Sequence, residues 1–481
     1  MHCRSLRARL AYVTPVPRRV HPRPFHSTAP SRLFGLSLPV PSNDPLAGTT
    51  PDAAGPPILF ILQVIVGLPA VLWAYKCLML VAFQRKIIYL PSVPPGTRDE
   101  SLARQERTAA RDASLSNLDW QEVEVKSEAK SRVLRRNVVL KGVELRWRNG
   151  TPLGDEDAKE TRTGQARRKV VVVYLQGNAG TPLMRIPLFR QLLRPGAQSS
   201  RSRPLSNQSG PGDKDVDIMV IAVAPRSFWQ STRTTPTEAS VVTDYLSVLR
   251  DASRRHGPDA KYVLYGHSLG GAAVVLLLER LRQPPFRSRA TDISRPASRS
   301  ASAPAVDDRL EPPVSGVILE NPLPSIPYMV RALYPQKWLP YHYLGPFAFD
   351  RWDAIGRLAT LARERRDGRS LHEVEGTREM PSLWLRSERD EIIPTDVGQD
   401  GVRTMFRDWC DALEGEDRSS ASLASRQDDG DDGPGDVRKE LTVGLQARWV
   451  DVRTALHDMA YTEREWRDAV RRFLDDVARS D

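Results

Sequence analysis

Six short apolar runs that alternate with helical patterns constrain the fold of this chain more than any other feature. The runs are residues 170–175, 217–223, 261–265, 316–319, 382–385 and 447–452. Helical patterns lie between several of them, for example over 238–254 and 272–282. Continuous apolar strands separated by helices are typical of a parallel sheet that helices cover on both faces. We therefore predict an α/β fold with a mostly parallel, doubly wound sheet, whose functional groups lie beyond the carboxyl ends of the strands.

Three polar segments, 196–215, 284–313 and 413–438, interrupt this pattern. Each is too poor in apolar residues to offset the entropy lost on ordering, so we predict disordered surface insertions. Without them, residues 119–476 have the size of one ordinary domain. The 3 cysteines are too few and too scattered for a disulfide framework or a cysteine-rich zinc site.

The third apolar run leads into the sequence Gly-His-Ser-Leu-Gly-Gly at 266–271, and an apolar helical pattern follows. A G-x-S-x-G motif between a strand and a helix is typical of a nucleophile elbow, which predicts Ser268 as the nucleophile. Gly266 and Gly270 leave room where the strand and the helix crowd together. The start of the helix favours developing negative charge. The alternative is a glycine-rich helix start with an ordinary capping serine.

A serine hydroxyl needs a base, and this strand–turn–helix context predicts the order serine, acid, histidine. Of the 8 histidines, only His457 lies beyond the fifth run, and we predict it as the base. Asp390 follows the fifth run and is the predicted acid, which would orient the imidazole. Glu388, Glu391 and Glu320 remain competitors for the acid, and a surface histidine remains the alternative for His457.

The small residues after the first run, Gln176–Thr181, predict a loop whose amides face a substrate carbonyl. The predicted oxyanion donors are the amide of Asn178 or Ala179 and that of Leu269. The alternative is a plain glycine-rich turn. The sequence contains no phosphate-binding glycine motif after a strand and no zinc-peptidase motif, so we expect no cofactor and no metal.

Residues 58–75 carry no charge, and the apolar run resumes after Lys76 as far as Phe83. About 20 apolar residues span a bilayer core. We predict a single-pass anchor over 58–83, with Trp73 and Tyr75 near a membrane interface and a connector over 84–118. The alternative is a buried helix of the globular domain.

Residues 1–43 hold seven of the arginines, no lysine and no acidic residue. This composition predicts a mitochondrial presequence, followed by a linker over 44–57. Insertion into the endoplasmic reticulum is the alternative location. The net charge of +11 is mostly explained by this segment, and the remaining chain lacks the dense basic face of a nucleic-acid-binding protein.

Further motifs accompany these residues. They are Phe83–Pro91, Pro94–Arg98, Gly177–Gly180, Thr235–Glu238, Gly266–Gly271, Glu320–Pro322, Ser325–Ile326, Trp352–Asp353, Asp390–Glu391 and His457–Asp458. Together they resemble the α/β-hydrolase fold, and specifically the fungal, membrane-anchored Bem-like group of α/β-hydrolase domain-containing serine hydrolases. The resemblance covers roughly residues 83–470, apart from the insertions.

The resemblance implies a serine hydrolase that cleaves acyl esters or thioesters through an acyl-enzyme. Its substrate would be a lipid or an acylated protein, as for lysophospholipid or monoacylglycerol lipases and protein depalmitoylases. A serine peptidase and an inactive membrane-tethered scaffold remain alternatives, and the oligomeric state is open. Two departures affect the predicted pocket: Gln176 stands where many relatives have histidine, and 226–231 replaces the usual arginine-glycine-tyrosine-glycine.

Overall fold

The computed structural model describes only part of the chain. The described residues are 58–103, 117–129, 137–148, 168–194, 216–282, 313–366, 380–394, 400–413, 440–443 and 447–480. The predicted presequence, the linker and the insertion at 196–215 lie outside them, and so do the other two insertions apart from Pro313 and Leu413. The chain divides into two units, Met1–Val64 and Ile65–Asp481. Only residues 58–64 of the first unit are described, and the sheet belongs to the second.

The described strands are β1 (Leu118–Ser127), β2 (Val138–Trp147), β3 (Lys169–Leu175), β4 (Asp217–Val223), β5 (Lys261–His267), β6 (Val314–Glu320), β7 (Ser382–Ser387), β8 (Glu440–Val443) and β9 (Ala447–Val452). The described α-helices are α1 (Ile58–Ala82), α2 (Gln84–Ile88), α3 (Ile186–Leu193), α4 (Glu238–His256), α5 (Leu269–Arg282), α6 (Ile326–Leu333), α7 (Ala354–Arg366), α8 (Gly401–Leu413) and α9 (Arg464–Arg479).

The strands form one sheet in the order β1-β2-β4-β3-β5-β6-β7-β9-β8. The pairs from β4 through β3, β5, β6 and β7 to β9 are parallel, whereas β2 pairs with β4, and β8 with β9, in the antiparallel sense. Helices separate the parallel strands along the chain. This strand order, with its antiparallel start, is that of the α/β-hydrolase fold, which confirms the predicted fold class.

The register of the central strands explains where a site forms. His267 at the end of β5 pairs with Glu320 at the end of β6, and Ser387 at the end of β7 pairs with Val452 at the end of β9. Glu320 in turn pairs with Leu385 in β7. The carboxyl ends of these four strands therefore lie side by side, and Ser268, Asp390 and His457 follow the ends of β5, β7 and β9 within a few positions.

The search for apolar runs missed β1 and β2, as well as the short strand β8. The strands β1 and β2 carry charged residues, and buried and exposed side chains alternate along part of β1. In β2, the carboxylate of Glu144 is buried. Arg255 and His256 at the end of α4 contact it, which offsets the cost of burying its charge. A run of continuous apolar residues identifies strands that are buried on both faces, whereas β1 and β2 are the two outermost strands on one side of the sheet.

Helix α1 is the one helix among the described residues that is long and apolar enough to cross a membrane. It has 25 residues, and its most apolar window has a mean hydropathy of 2.2 with no buried residue. Its exposed apolar surface differs from that of a core helix, so it fits a single membrane span.

Candidate active site

Ser268 occupies the sharp turn between β5 and α5. Its φ of 55° lies in the left-handed region, where a non-glycine residue is strained. Two backbone hydrogen bonds fix the turn: the Ser268 amide donates to the Glu320 carbonyl at 3.0 Å, and the Ser268 carbonyl accepts from the Leu323 amide at 3.0 Å. The end of β6 thus holds the serine in a conformation that the chain would otherwise avoid.

The glycines on either side permit the close approach of three backbone segments. A Cβ atom on Gly270 would lie 2.0 Å from the Leu175 carbonyl oxygen at the end of β3. A Cβ atom on Gly266 would lie 2.5 Å from the Gly270 carbonyl oxygen. Both positions therefore require glycine for space.

Asp390 and His457 form a buried pair. The Nδ1 atom of His457 lies 2.9 Å from Asp390 Oδ1, which also accepts from the Ile393 amide at 2.8 Å. The other carboxylate oxygen of Asp390 accepts from Arg386 Nη1 at 2.6 Å. Burial raises the pKa of the Asp390 carboxyl, but the hydrogen bond and charge of His457, the Ile393 amide and Arg386 outweigh it, so the pKa lies below its usual value.

An ionised Asp390 can only accept from His457, which assigns a proton to Nδ1; in the neutral imidazole, Nε2 is then an acceptor. Neither His457 Nε2 nor the Ser268 hydroxyl has a hydrogen-bond partner in the described part of the chain. The structure therefore brings the predicted acid to the predicted base, whereas the serine–histidine contact belongs to the proposal below.

The competing acids have other partners. Glu391 accepts from the backbone amide of His457 at 3.0 Å and does not contact the imidazole through this bond. Glu320 accepts from Trp466 Nε1 at 2.9 Å and from the Tyr265 hydroxyl, and burial raises the pKa of its carboxyl. Glu388 is exposed.

Two side chains contact the backbone carbonyl oxygen of His457. Asn321 Nδ2 donates to it at 3.0 Å, and His267 Nε2 lies 3.1 Å from it. Asn321 also accepts from the Ser387 amide at 2.8 Å through Oδ1. Asn321 thus connects the ends of β6 and β7 to the histidine loop. The sequence reasoning gave it no role, although its position directly after a strand was a usable signal.

A second layer surrounds His267. Arg185 Nη2 lies 3.5 Å from His267 Nδ1 and donates to Asp458 Oδ1 at 2.6 Å. Since Nδ1 faces a donor and Nε2 faces the His457 carbonyl, the neutral Nε2–H tautomer satisfies both contacts. Burial, followed by the charges of Arg185 and His457, lowers the pKa of His267, so it is neutral at pH 7.

The predicted oxyanion loop is held by the segment that follows α2. The Leu90 amide donates to the Asn178 carbonyl at 2.8 Å, and the Gly180 amide donates to the Val93 carbonyl at 2.9 Å. The amides of Asn178 and Ala179 donate to no acceptor within the described ranges. A first-turn amide such as that of Leu269 likewise has no partner within its own helix.

A small cavity adjoins this loop, with about 230 Å³ of empty space that is partly open to solvent. Its lining comprises Tyr89, Gln176, Gly177, Pro225, Phe228, Val241, Tyr245, Leu269, Ala273 and Trp352. Gln176 is buried, and neither atom of its side-chain amide has a partner among the described residues. Phe228 belongs to the segment that departs from the resembled family. Of the aromatic residues between β6 and β7, only Trp352 lines this cavity.

One group of possible metal ligands lies here in the described part of the chain. Ligand atoms of His267, His457 and Asp458 lie within 4.8 Å of one another. However, the Arg185 guanidinium contacts both Asp458 and His267, and its charge opposes a bound cation. We therefore assign no metal to this group.

No known family model matches the sequence, and no curated protein matches it. Solved structures do resemble it. An esterase of Pyrococcus furiosus is 14% identical, with 75% of this chain and 91% of that chain covered and a TM-score of 0.38. An alpha-beta hydrolase of Vibrio vulnificus is 12% identical, with 82% and 91% covered and a TM-score of 0.41. A bacterial membrane phospholipase A is 13% identical, with 88% and 99% covered and a TM-score of 0.35. The fold assignment rests on the strand order given above.

Proposed function

We propose that this protein is a serine hydrolase that cleaves acyl esters or thioesters. The observation that carries the proposal is the buried Asp390–His457 pair at the same sheet edge as the strained Ser268 turn. An ionised aspartate that fixes the tautomer of a histidine is the arrangement that activates a serine hydroxyl.

In the proposed reaction, the Ser268 Oγ attacks the acyl carbonyl, and His457 Nε2 takes the hydroxyl proton. Asp390 stabilises the resulting imidazolium. The free amides of Asn178 or Ala179 and of Leu269 stabilise the oxyanion, which is worth roughly 10²–10³ in rate for each donor. His457 then protonates the leaving group, which departs and leaves the acyl group on Ser268. In the second half of the reaction, His457 takes a proton from water, the water attacks the acyl-enzyme, and His457 returns the proton to Ser268 Oγ as the acid is released.

We infer a lipid or an acylated protein as the substrate class. The cavity beside Leu269 is lined mostly by apolar and aromatic side chains, which suit an acyl group. The exposed apolar surface of α1 supports a single-pass membrane anchor, which would keep the enzyme near such substrates. The arginine-rich N-terminal segment supports a mitochondrial membrane, with the endoplasmic reticulum as the alternative that cell fractionation would distinguish.

Ester hydrolysis tests the proposal. The purified full-length protein would be assayed with p-nitrophenyl esters, an acyl thioester, a lysophospholipid, a monoacylglycerol and a peptide anilide. We expect ester or thioester turnover in the wild type and in the control variant Ser480→Ala, and its loss in Ser268→Ala. Turnover of the anilide alone would favour a peptidase, and no turnover by folded protein would favour a scaffold.

A further inference from the structure

The segment between β6 and β7 carries a set of exposed apolar side chains that we call the interfacial face. It consists of Leu333, Trp338, Tyr343, Phe347 and Phe349, which are between 58% and 70% exposed. From residue 83 onward in the described ranges, every exposed aromatic side chain lies on this face or is Phe83. Exposed apolar residues that are concentrated in one short segment mark an interaction surface.

The interfacial face is fixed against the last turns of α1. The rings of Trp73 in α1 and Trp338 lie 6.1 Å apart, and Lys76 Nζ lies 4.4 Å from the centre of the buried Tyr341 ring. Trp73 precedes the end of α1 at Ala82 by about 14 Å at 1.5 Å per residue. Trp338 is therefore held alongside the apolar helix and not beyond its end.

Polar contacts make this attachment rigid. The buried Gln84 of α2 donates to the Phe347 carbonyl at 3.2 Å and accepts from the Phe349 amide at 2.7 Å. Arg85 contacts Asp350 at 2.9 Å and lies over the Phe349 ring. The interfacial face cannot move away from α2, which follows α1 directly in the chain, without loss of these contacts.

The charge distribution around the face suits a lipid surface. Residues 53–98 and 326–349 contain no aspartate or glutamate. The charged residues that they do contain are basic, and Lys76, Lys86, Arg331 and Lys337 are exposed. Exposed aromatic residues among basic ones, with acids absent, are typical of a surface that meets the headgroups of a bilayer.

We propose that the interfacial face inserts shallowly into the same phospholipid bilayer that α1 enters. This inference rests on the proposed role of α1 as the anchor. The protein would then contact the bilayer twice, through α1 and through the aromatic face, which fixes the orientation of the hydrolase domain. Tyr89 and Trp352, which follow the two attached segments in the chain, are hydrogen-bonded at 3.1 Å and form part of the cavity wall. An acyl chain would therefore approach the cavity from the lipid side.

Depth-dependent fluorescence quenching tests the inference. The full-length chain would be reconstituted in vesicles of phosphatidylcholine and phosphatidylglycerol, with an environment-sensitive nitrobenzoxadiazole label at Phe347→Cys. Leu68→Cys in α1 reports the anchor, and Arg467→Cys on the exposed side of α9 is the matched control. Labelling of the unsubstituted chain gives the background from its own cysteines. We expect a nitroxide near the lipid headgroup to quench the label at position 347 several-fold more than at position 467.

Labels at the three positions distinguish the results that would overturn the inference. Quenching at position 68 without quenching at 347 would overturn the interfacial face and leave the anchor intact. Quenching at neither position would overturn the anchor as well. Protection of position 347 from an aqueous quencher, without lipid quenching, would show that another protein covers the face and would also overturn the inference. As a second measurement, Phe347→Ser with Phe349→Ser should lower turnover of a vesicle-embedded ester several-fold while turnover of a soluble short-chain ester is unchanged.

Discussion

Asp390 is the residue whose surroundings explain most of the proposed chemistry. Its two carboxylate oxygens accept from His457, from the Ile393 amide and from Arg386, so the carboxylate is both ionised and fixed in orientation. The sequence placed this aspartate after a strand and before an isoleucine–isoleucine–proline run. It could not show Arg386 as the partner, because a residue four positions earlier in a strand meets Asp390 only after the chain turns.

Replacement of Asp390 by asparagine removes the charge and permits the wrong tautomer of His457. We expect Asp390→Asn to lower kcat by roughly 10³–10⁴. The matched control is Glu388→Gln, an exposed acid from the same loop, which should change kcat less than about twofold. Equal losses in the two variants would contradict the assignment of Asp390. Ester turnover and thermal unfolding of each variant provide the measurement.

His267 makes the stability of the domain depend on pH. Its folded pKa is lowered by burial and by Arg185 and His457, whereas an unfolded histidine titrates near 6.5. Below that pH the unfolded chain binds a proton that the folded chain does not, so stability falls as pH falls. Asp458 and Glu320 also face this ring.

We expect His267→Gln, which keeps a donor for the His457 carbonyl, to lose less stability than the wild type between about pH 6.5 and pH 5. The difference should approach about 2 kcal/mol. Denaturant unfolding of both proteins at the two pH values measures it. Parallel losses would show that His267 is protonated in the folded state.

At the scale of elements, the β5–turn–α5 unit is the part of the site that the sequence predicted best. Its residues are contiguous, so strand, turn and helix are all visible in one stretch. The contacts to the His457 carbonyl could not be predicted from one contiguous stretch of sequence. Asn321, His267 and Ser387 meet there only because the ends of β5, β6 and β7 are in register.

The turn predicts a steric requirement for glycine. We expect Gly270→Ala to destabilise the domain by at least about 3 kcal/mol, because its methyl group would overlap the Leu175 carbonyl. Gly67→Ala in α1, where a Cβ would meet nothing within 4 Å, is the control and should be neutral or slightly stabilising. Thermal unfolding compares them. A stable Gly270→Ala protein would show that β3 and α5 are less closely packed than described.

At the scale of the whole molecule, an apolar helix and a hydrolase-fold domain are combined in one chain. The composition of residues 58–83 predicted the helix directly, since an uncharged run needs no tertiary information. The interfacial face was not foreseen. The sequence shows aromatic residues between β6 and β7, and only the fold shows that Tyr341 is buried while Trp338 and Phe347 are exposed.

Membrane insertion of α1 predicts a sensitivity to charge at its centre. Ile65→Arg combined with Leu68→Arg should release the protein from membranes into the alkaline carbonate supernatant, because each arginine costs about 2.5–3.5 kcal/mol at the bilayer centre. Tyr75→Arg, at the predicted membrane interface and next to Lys76, should leave the protein in the membrane pellet. Release of the wild type, or retention of the double variant, would show that α1 does not span the bilayer.

Covalent labelling by a fluorophosphonate probe, followed by mass spectrometry of the labelled peptide, tests most directly whether Ser268 is an activated nucleophile. An activated serine reacts with this probe, whereas an ordinary hydroxyl does not. We expect a single adduct on Ser268 in the wild type, none in Ser268→Ala, and strongly reduced labelling in His457→Ala. A folded wild-type protein that remains unlabelled, or an adduct on another serine, would contradict the role of Ser268 as the nucleophile.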